Sequence, residues 1–128
     1  MMDIIALAAL CKLAIDGGDK LLEAYKKRKF SEAEKELLIA AVKDGVATAN
    51  HGKFWLMRLN EGNFIRAGNK NFPDDESKDL VYDSERYYEA FESLCKRAFI
   101  RYDGGDLFIL TSKGFEKARE LARKNKKE

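Results

Sequence analysis

Apolar side chains recur at intervals of three and four along the first stretch of the chain: Ile4, Leu7, Cys11, Ala14, Ile15, Leu22 and Tyr25. That spacing turns one side of a helix toward a core and predicts helix from Met2 to about Lys29. Ile5, Leu10 and Leu13 widen the stripe, so the first three turns are apolar on more than one face. Gly17-Gly18 interrupts the pattern and predicts a kink, or a break between two helices. Ser31 followed by Glu34 is a capping-box pair: the serine accepts from a first-turn N–H and the glutamate reaches back to the N-cap N–H. The helix it opens runs through Leu37, Leu38, Ala41 and Val42, and Gly45 is placed to end it.

The period then changes. Lys53 to Leu59 is dense in aromatic and large apolar residues, Asn60-Glu61-Gly62-Asn63 is turn chemistry, and Phe64-Ile65-Arg66 returns as a β-hairpin. Gly68 to Asp79 holds the only proline, Pro73, among Asn, Asp and Lys, and predicts an exposed loop. A helix from about Ser84 to Ala98 collects Tyr87, Phe91, Leu94, Cys95 and Ala98 on one buried side. Ile100-Arg101-Tyr102 and Leu107-Phe108-Ile109-Leu110 flank the tight turn Asp103-Gly104-Gly105-Asp106. In that register Ile100 and Tyr102 share a face with Ile109 and Leu107. Thr111 caps a last helix carrying Phe115, Ala118, Leu121 and Ala122, with Phe91, Leu94 and Phe115 expected in one core. The sum is an α+β fold, mostly helical, with about four helices and two short antiparallel hairpins.

At 128 residues the chain fits one domain and needs no metal or disulfide staple. Residues 1–29 form an N-terminal helical segment, and 30–128 the domain proper. Net charge is only +2, so the distribution matters more than the total. Lys26, Lys27, Arg28 and Lys29 make an uninterrupted basic run, and Lys113 to Glu128 carries seven Lys/Arg against three Glu. Between them lies an acidic stretch with Asp74, Asp75, Glu76, Asp79, Asp83 and Glu85. Cys11 and Cys95 sit at apolar helical positions, which fits buried thiols in a reducing cytosol; spacing alone leaves a disulfide between them open. Ile4 to Ile15 is shorter than the about 20 residues a membrane span needs. No basic residue precedes it and no cleavage pattern follows, so the expectation is a cytoplasmic protein without a signal peptide.

Helix, short strand, tight glycine turn, strand and capped helix is the ending of a winged-helix domain. Tyr87, Phe91, Leu94, Ala98, Phe99 and Ile100 carry it, followed by Leu110-Thr111-Ser112-Lys113-Gly114-Phe115. This resembles MarR-like and PadR-like regulators, in which a helix ends in a small-apolar-Ile step and the hairpin runs into Leu-Thr-x-x-Gly. More loosely, Phe30 to Glu120 is similar to a family of uncharacterised bacterial proteins with this ending and a Gly-Asn-Lys-Asn-Phe-type loop. These motifs imply a winged-helix-like fold and carry no chemistry. One departure stands out: where a standard winged helix has a short helix before its recognition helix, residues 46–83 hold a hairpin and an acidic loop.

Charge decides among the candidate surfaces. The helix after Ser84 exposes Glu85, Arg86, Glu89, Glu92, Lys96 and Arg97, and the wing tip offers Asp103 and Asp106, a poor approach to a polyanion. The better nucleic-acid candidates are Lys26, Lys27, Arg28, Lys29, Arg119, Arg123 and Lys124, which equally suit a solvated helix end and its dipole. On the N-terminal helix, Ile4, Ile5, Leu7, Leu10, Cys11 and Leu13 are candidates for self-association. Trp55 with Phe54, Phe64 and Phe72 forms either an aromatic patch or a hairpin packed on the core, and His51 reads as a loop residue. No phosphate loop, metal-ligand spacing or catalytic histidine cluster is present, so neither cofactor nor enzyme activity is expected. The expected function is a non-enzymatic, homo-oligomeric binding module that contacts another protein. The alternative is a DNA-binding transcription regulator using segments 26–29 and 113–127.

Overall fold

A computed structural model describes residues 3–17, 28–43, 49–59, 62–74 and 76–126. Helix α1, Ile4–Gly17, opens with the Asp3 carboxylate accepting from the Ala6 N–H at 2.8 Å. Its described part reaches Gly17, where the sequence predicts a kink or a break; Gly18, Leu22 and Tyr25 lie outside the described residues, and Arg28 and Lys29 are non-helical. Helix α2, Glu32–Val42, has its capping box complete: Ser31 Oγ accepts from Glu34 N at 3.1 Å, and Glu34 Oε1 accepts from Ser31 N at 2.9 Å. Gly45 lies outside the described residues. Helix α3, Leu80–Lys96, begins four residues before Ser84, because Asp79 supplies the N-cap by accepting from Tyr82 N at 3.1 Å. Helix α4, Ser112–Lys126, is capped as expected, with Thr111 Oγ1 accepting from Gly114 N at 3.0 Å.

The strands β1 (Lys53–Leu59), β2 (Gly62–Ala67), β3 (Lys70–Phe72), β4 (Ile100–Gly104) and β5 (Leu107–Leu110) make one antiparallel sheet of order β3-β2-β1-β5-β4. The two hairpins expected from the sequence are therefore one sheet, joined where Lys53, Phe54 and Trp55 of β1 pair with Ile109, Phe108 and Leu107 of β5. The stretch expected as an exposed loop instead supplies β3. Gly68, at φ 61° and close against the Ala40 carbonyl, turns the chain so that Phe72 pairs with Ile65 and is buried. The Phe72–Pro73 peptide is cis.

The hairpin register also differs from expectation. Gly104 pairs with Leu107, and an irregularity between Tyr102 and Gly104 sets Tyr102 opposite Phe108 and Ile100 opposite Leu110. The extra residue in β4 shifts the partner strand by one, which exchanges its faces. Phe108 and Leu110, not Leu107 and Ile109, turn into the core.

That core lies between the helices and one face of the sheet. Phe91 of α3 meets Phe54 and Phe108 edge-on, with ring centroids 5.6 and 5.1 Å apart. Leu7 and Cys11 bring α1 against α3 and β4, while α2 lies between α3 and α4. Phe115 packs against the core that holds Phe91 and Leu94, but from its margin: it is half-buried and stacks on His51 at 5.4 Å.

Helix α3 ends in a paired motif, with Ala98 N–H donating to Cys95 O and Phe99 N–H to Leu94 O, both at 3.1 Å. This puts Ala98 at φ 61°, a left-handed conformation that an L-residue adopts at a cost and glycine adopts freely. Ala98→Gly is expected to raise stability by about 0.5–1 kcal/mol, read as a higher denaturant midpoint at unchanged slope.

Candidate functional site

One buried ion pair fixes the end of the molecule where the basic segments meet. Glu34 Oε2 accepts from Arg97 Nη1 at 3.1 Å and from Ser93 Oγ at 2.8 Å, and the two charged side chains are 6% and 3% exposed. Arg97 Nη2 donates to the Arg28 carbonyl, and its guanidinium lies 3.9 Å above the Phe30 ring. A charge this far from water persists only with its partners in place. Arg97, expected on the exposed face of its helix, is thus a core residue. The reason is tertiary: the α3 C-terminus is roofed by residues 28–30 and α2.

Helix α3 otherwise presents carboxylates. Glu85 and Glu89 are exposed, and Lys96 pairs with Glu92 at 3.7 Å. Arg86 is shared between Asp83 at 3.9 Å and Glu36 at 4.0 Å, and it lies 4.6 Å over the Tyr87 ring. Asp103 and Asp106 at the β4–β5 turn are exposed, with Asp103 held by Arg101 at 3.0 Å. Arg97, just past the end of this helix, is enclosed, and Arg86 is half-exposed between two carboxylates.

The basic segments converge only in part. Lys26, Lys27 and Lys127 lie outside the described residues. Arg28 and Lys29 are exposed, and Arg28 borders a cavity of about 420 Å³ with Lys113, Lys117, Phe30, Phe99 and Glu120. Lys113 and Lys117 lie over the Phe99 and Phe30 rings at 5.1 and 5.8 Å. Hydrogen bonds from Lys117 and Lys124 hold the Glu120 carboxyl below its ordinary range. Arg119 leans instead over Phe115 at 5.0 Å, and Arg123 is exposed. The cations of α4 therefore fall on two sides of the helix, Lys113, Lys117 and Lys124 on one and Arg119 and Arg123 on the other.

The six α1 residues separate into three groups. Leu7 and Cys11 are buried in the chain's own core and have no surface to offer, while Ile4 and Leu10 are partly covered by it. Ile5 and Leu13 are 80% and 53% exposed, and Ile15, also exposed, joins them. Cys11 and Cys95 are free thiols. Burial, then a hydrogen bond with Cys11, pushes the Cys95 thiol well above its ordinary value.

Nor do the aromatics form one patch. Strand alternation sends Phe54 and Phe72 into the core, while Trp55 and Phe64 lie half-buried on the opposite sheet face. Sequence reasoning missed that face as a surface. Its signal was present in the alternation of Lys53, Trp55 and Met57 with Phe54 and Leu56, once β1 is placed in the centre of a sheet. Among the described residues no group of three His, Cys, Asp or Glu is arranged to hold a metal, and no helix is long and apolar enough to cross a membrane.

Comparison of the chain with family models, with curated proteins and with solved structures finds no significant match.

Two outcomes test this geometry. Arg97→Ala strands the Glu34 carboxylate and is expected to cost about 3–5 kcal/mol in denaturant melts, where an exposed arginine would cost almost nothing. Tyr87 supplies a pH signature. Burial, then the hydrogen bond it donates to Glu36 at 2.9 Å, pushes its phenol from 10.0 up to about 12. The neutral phenol is thus favoured by folding. Its contribution is complete below pH 10.0 and is lost as pH rises through about 12. Tyr87→Phe should remove that part of the alkaline stability slope, and an unchanged slope would contradict the assignment.

Proposed function

We propose that the chain is a non-enzymatic, winged-helix-like binding module that self-associates through the exposed side of α1 and contacts a further protein. The observation that carries this reading is the exposure of Ile5, Leu13 and Ile15 on a helix whose other side is already in the core. Large apolar side chains held in water cost roughly 25 cal/mol per Å² of apolar surface, and a second copy of the same helix would remove that cost for both partners. The winged-helix reading rests on the run of α3, β4, glycine turn, β5 and capped α4. Duplex reading through α3 is disfavoured by Glu85 and Glu89 and by the internal engagement of Arg86 and Arg97.

A second reading, a nucleic-acid-binding regulator, draws support from one placement: Arg28 shares its cavity with Lys113 and Lys117. It competes with the protein-binding reading on charge alone.

Sedimentation equilibrium tests self-association. At tens of micromolar the full chain is expected to be dimeric or larger, and the Ile5→Glu/Leu13→Glu variant monomeric. A stable C2 contact buries roughly 1,200 Å² or more, so a monomeric parent chain would remove the proposal.

A further inference from the structure

The sheet has two faces, and the core accounts for one of them. On the other, cross-strand pairing sets Trp55 between Arg66 of β2 and Leu107 of β5, and sets Lys53 beside Ile109, which in turn faces Arg101. Phe64, opposite Met57, is the diagonal neighbour of Trp55 on the adjacent strand. Such neighbours stand about 7–8 Å apart, within reach of one another's rings. The helices pack on the opposite face, where Phe54, Leu56, Ile65 and Phe108 are buried; the residues of this outer face are half-buried or exposed.

Among the described residues its charge is one-sided. Arg66 Nε is buried with no hydrogen-bond partner among the described residues. Arg101 is matched by Asp103 at 3.0 Å, which leaves Lys53 and Arg66, beside the two rings, without a carboxylate partner among the described residues. Aromatic planes flanked by cations suit a ligand that is itself planar and anionic at short repeats. Single-stranded nucleic acid has that chemistry: every base offers a face to stack, and each nucleotide adds a phosphate. A duplex keeps its base faces stacked inside and offers nothing to the rings. An acidic peptide would satisfy the cations alone.

We propose that the outer face of the sheet binds single-stranded nucleic acid, with Trp55 and Phe64 stacking on bases and Lys53 and Arg66 neutralising phosphates. The inference does not rest on self-association, since α1 packs with the helices on the other side of the sheet.

Trp55 is the only tryptophan, so the intrinsic fluorescence of the full chain reports this face directly. Titration with a thymidine oligonucleotide at two salt concentrations should quench it to saturation. Lys53→Gln/Arg66→Gln should weaken binding about tenfold and flatten the salt dependence by about 0.7 log units for each phosphate no longer neutralised. Phe64→Leu keeps an apolar residue in the strand and removes the ring; it should also weaken binding by about tenfold. Circular-dichroism melts establish that each variant is folded before it is titrated. The proposal fails if a folded parent chain shows no quenching at low salt, or if the Lys53/Arg66 and Phe64 variants bind as the parent does. It also fails if duplex DNA, or polyglutamate as the acidic-peptide probe, quenches Trp55 with equal affinity.

Discussion

The contact between Glu34 and Arg97 is the constraint on which the arrangement of elements depends. Two opposite charges are held almost out of water, and each makes further hydrogen bonds of its own, Glu34 with Ser31 N and Ser93 Oγ and Arg97 with the Arg28 carbonyl. One glutamate oxygen serves the start of α2 by closing the capping box, and the other ties that helix to Ser93 and Arg97 near the end of α3. The arginine then fastens the Arg28 carbonyl and covers Phe30. The pair adds specificity more than net stability, because desolvation of both ions offsets most of their attraction. What it excludes is any slippage of α2 along α3, since a shift of one residue would leave a charge buried alone.

This ion pair also shows where sequence reasoning stops. The serine–glutamate pair was legible as a cap because its partners are three residues apart. That the same glutamate would meet an arginine 63 residues later has no local signal. Arg97 follows helical periodicity to an exposed position, and only the third element laid across it buries it. The same distinction runs through the sheet. Each hairpin announced itself by alternation and turn chemistry, but the Lys53-to-Ile109 junction is a long-range pairing that no window of sequence contains. The β5 faces were misread because one irregular residue in β4 inverts a period of two. On α1 the breadth of the apolar stripe was visible, while the choice of which side enters the core belongs to α3 and β4.

Close approach sets a second limit on the design. The first turn of α4 lies on the Phe99 carbonyl, and a Cβ at Gly114 would collide with that oxygen. The hairpin and the last helix are therefore joined with no room for adjustment. Thr111 secures the joint from both directions, accepting from Gly114 N at 3.0 Å and donating to Ala98 O at 2.8 Å. The cations on the two sides of α4 inherit their positions from this start. Lys113 and Lys117 come to border the same cavity as Arg28 from this starting point.

The strand order β3-β2-β1-β5-β4 leaves two edges, and each is unsuited to growth. On one side β3 offers three residues, followed at once by Pro73, whose nitrogen has no hydrogen to donate. On the other, β4 carries a register irregularity, an Arg101–Asp103 pair and the flank of α1. A further strand from another chain finds no long, flat ladder to continue. A second copy would have to be met through side chains rather than by extending this sheet. Open-ended stacking of the kind that builds fibrils meets a poor template at both edges of the sheet.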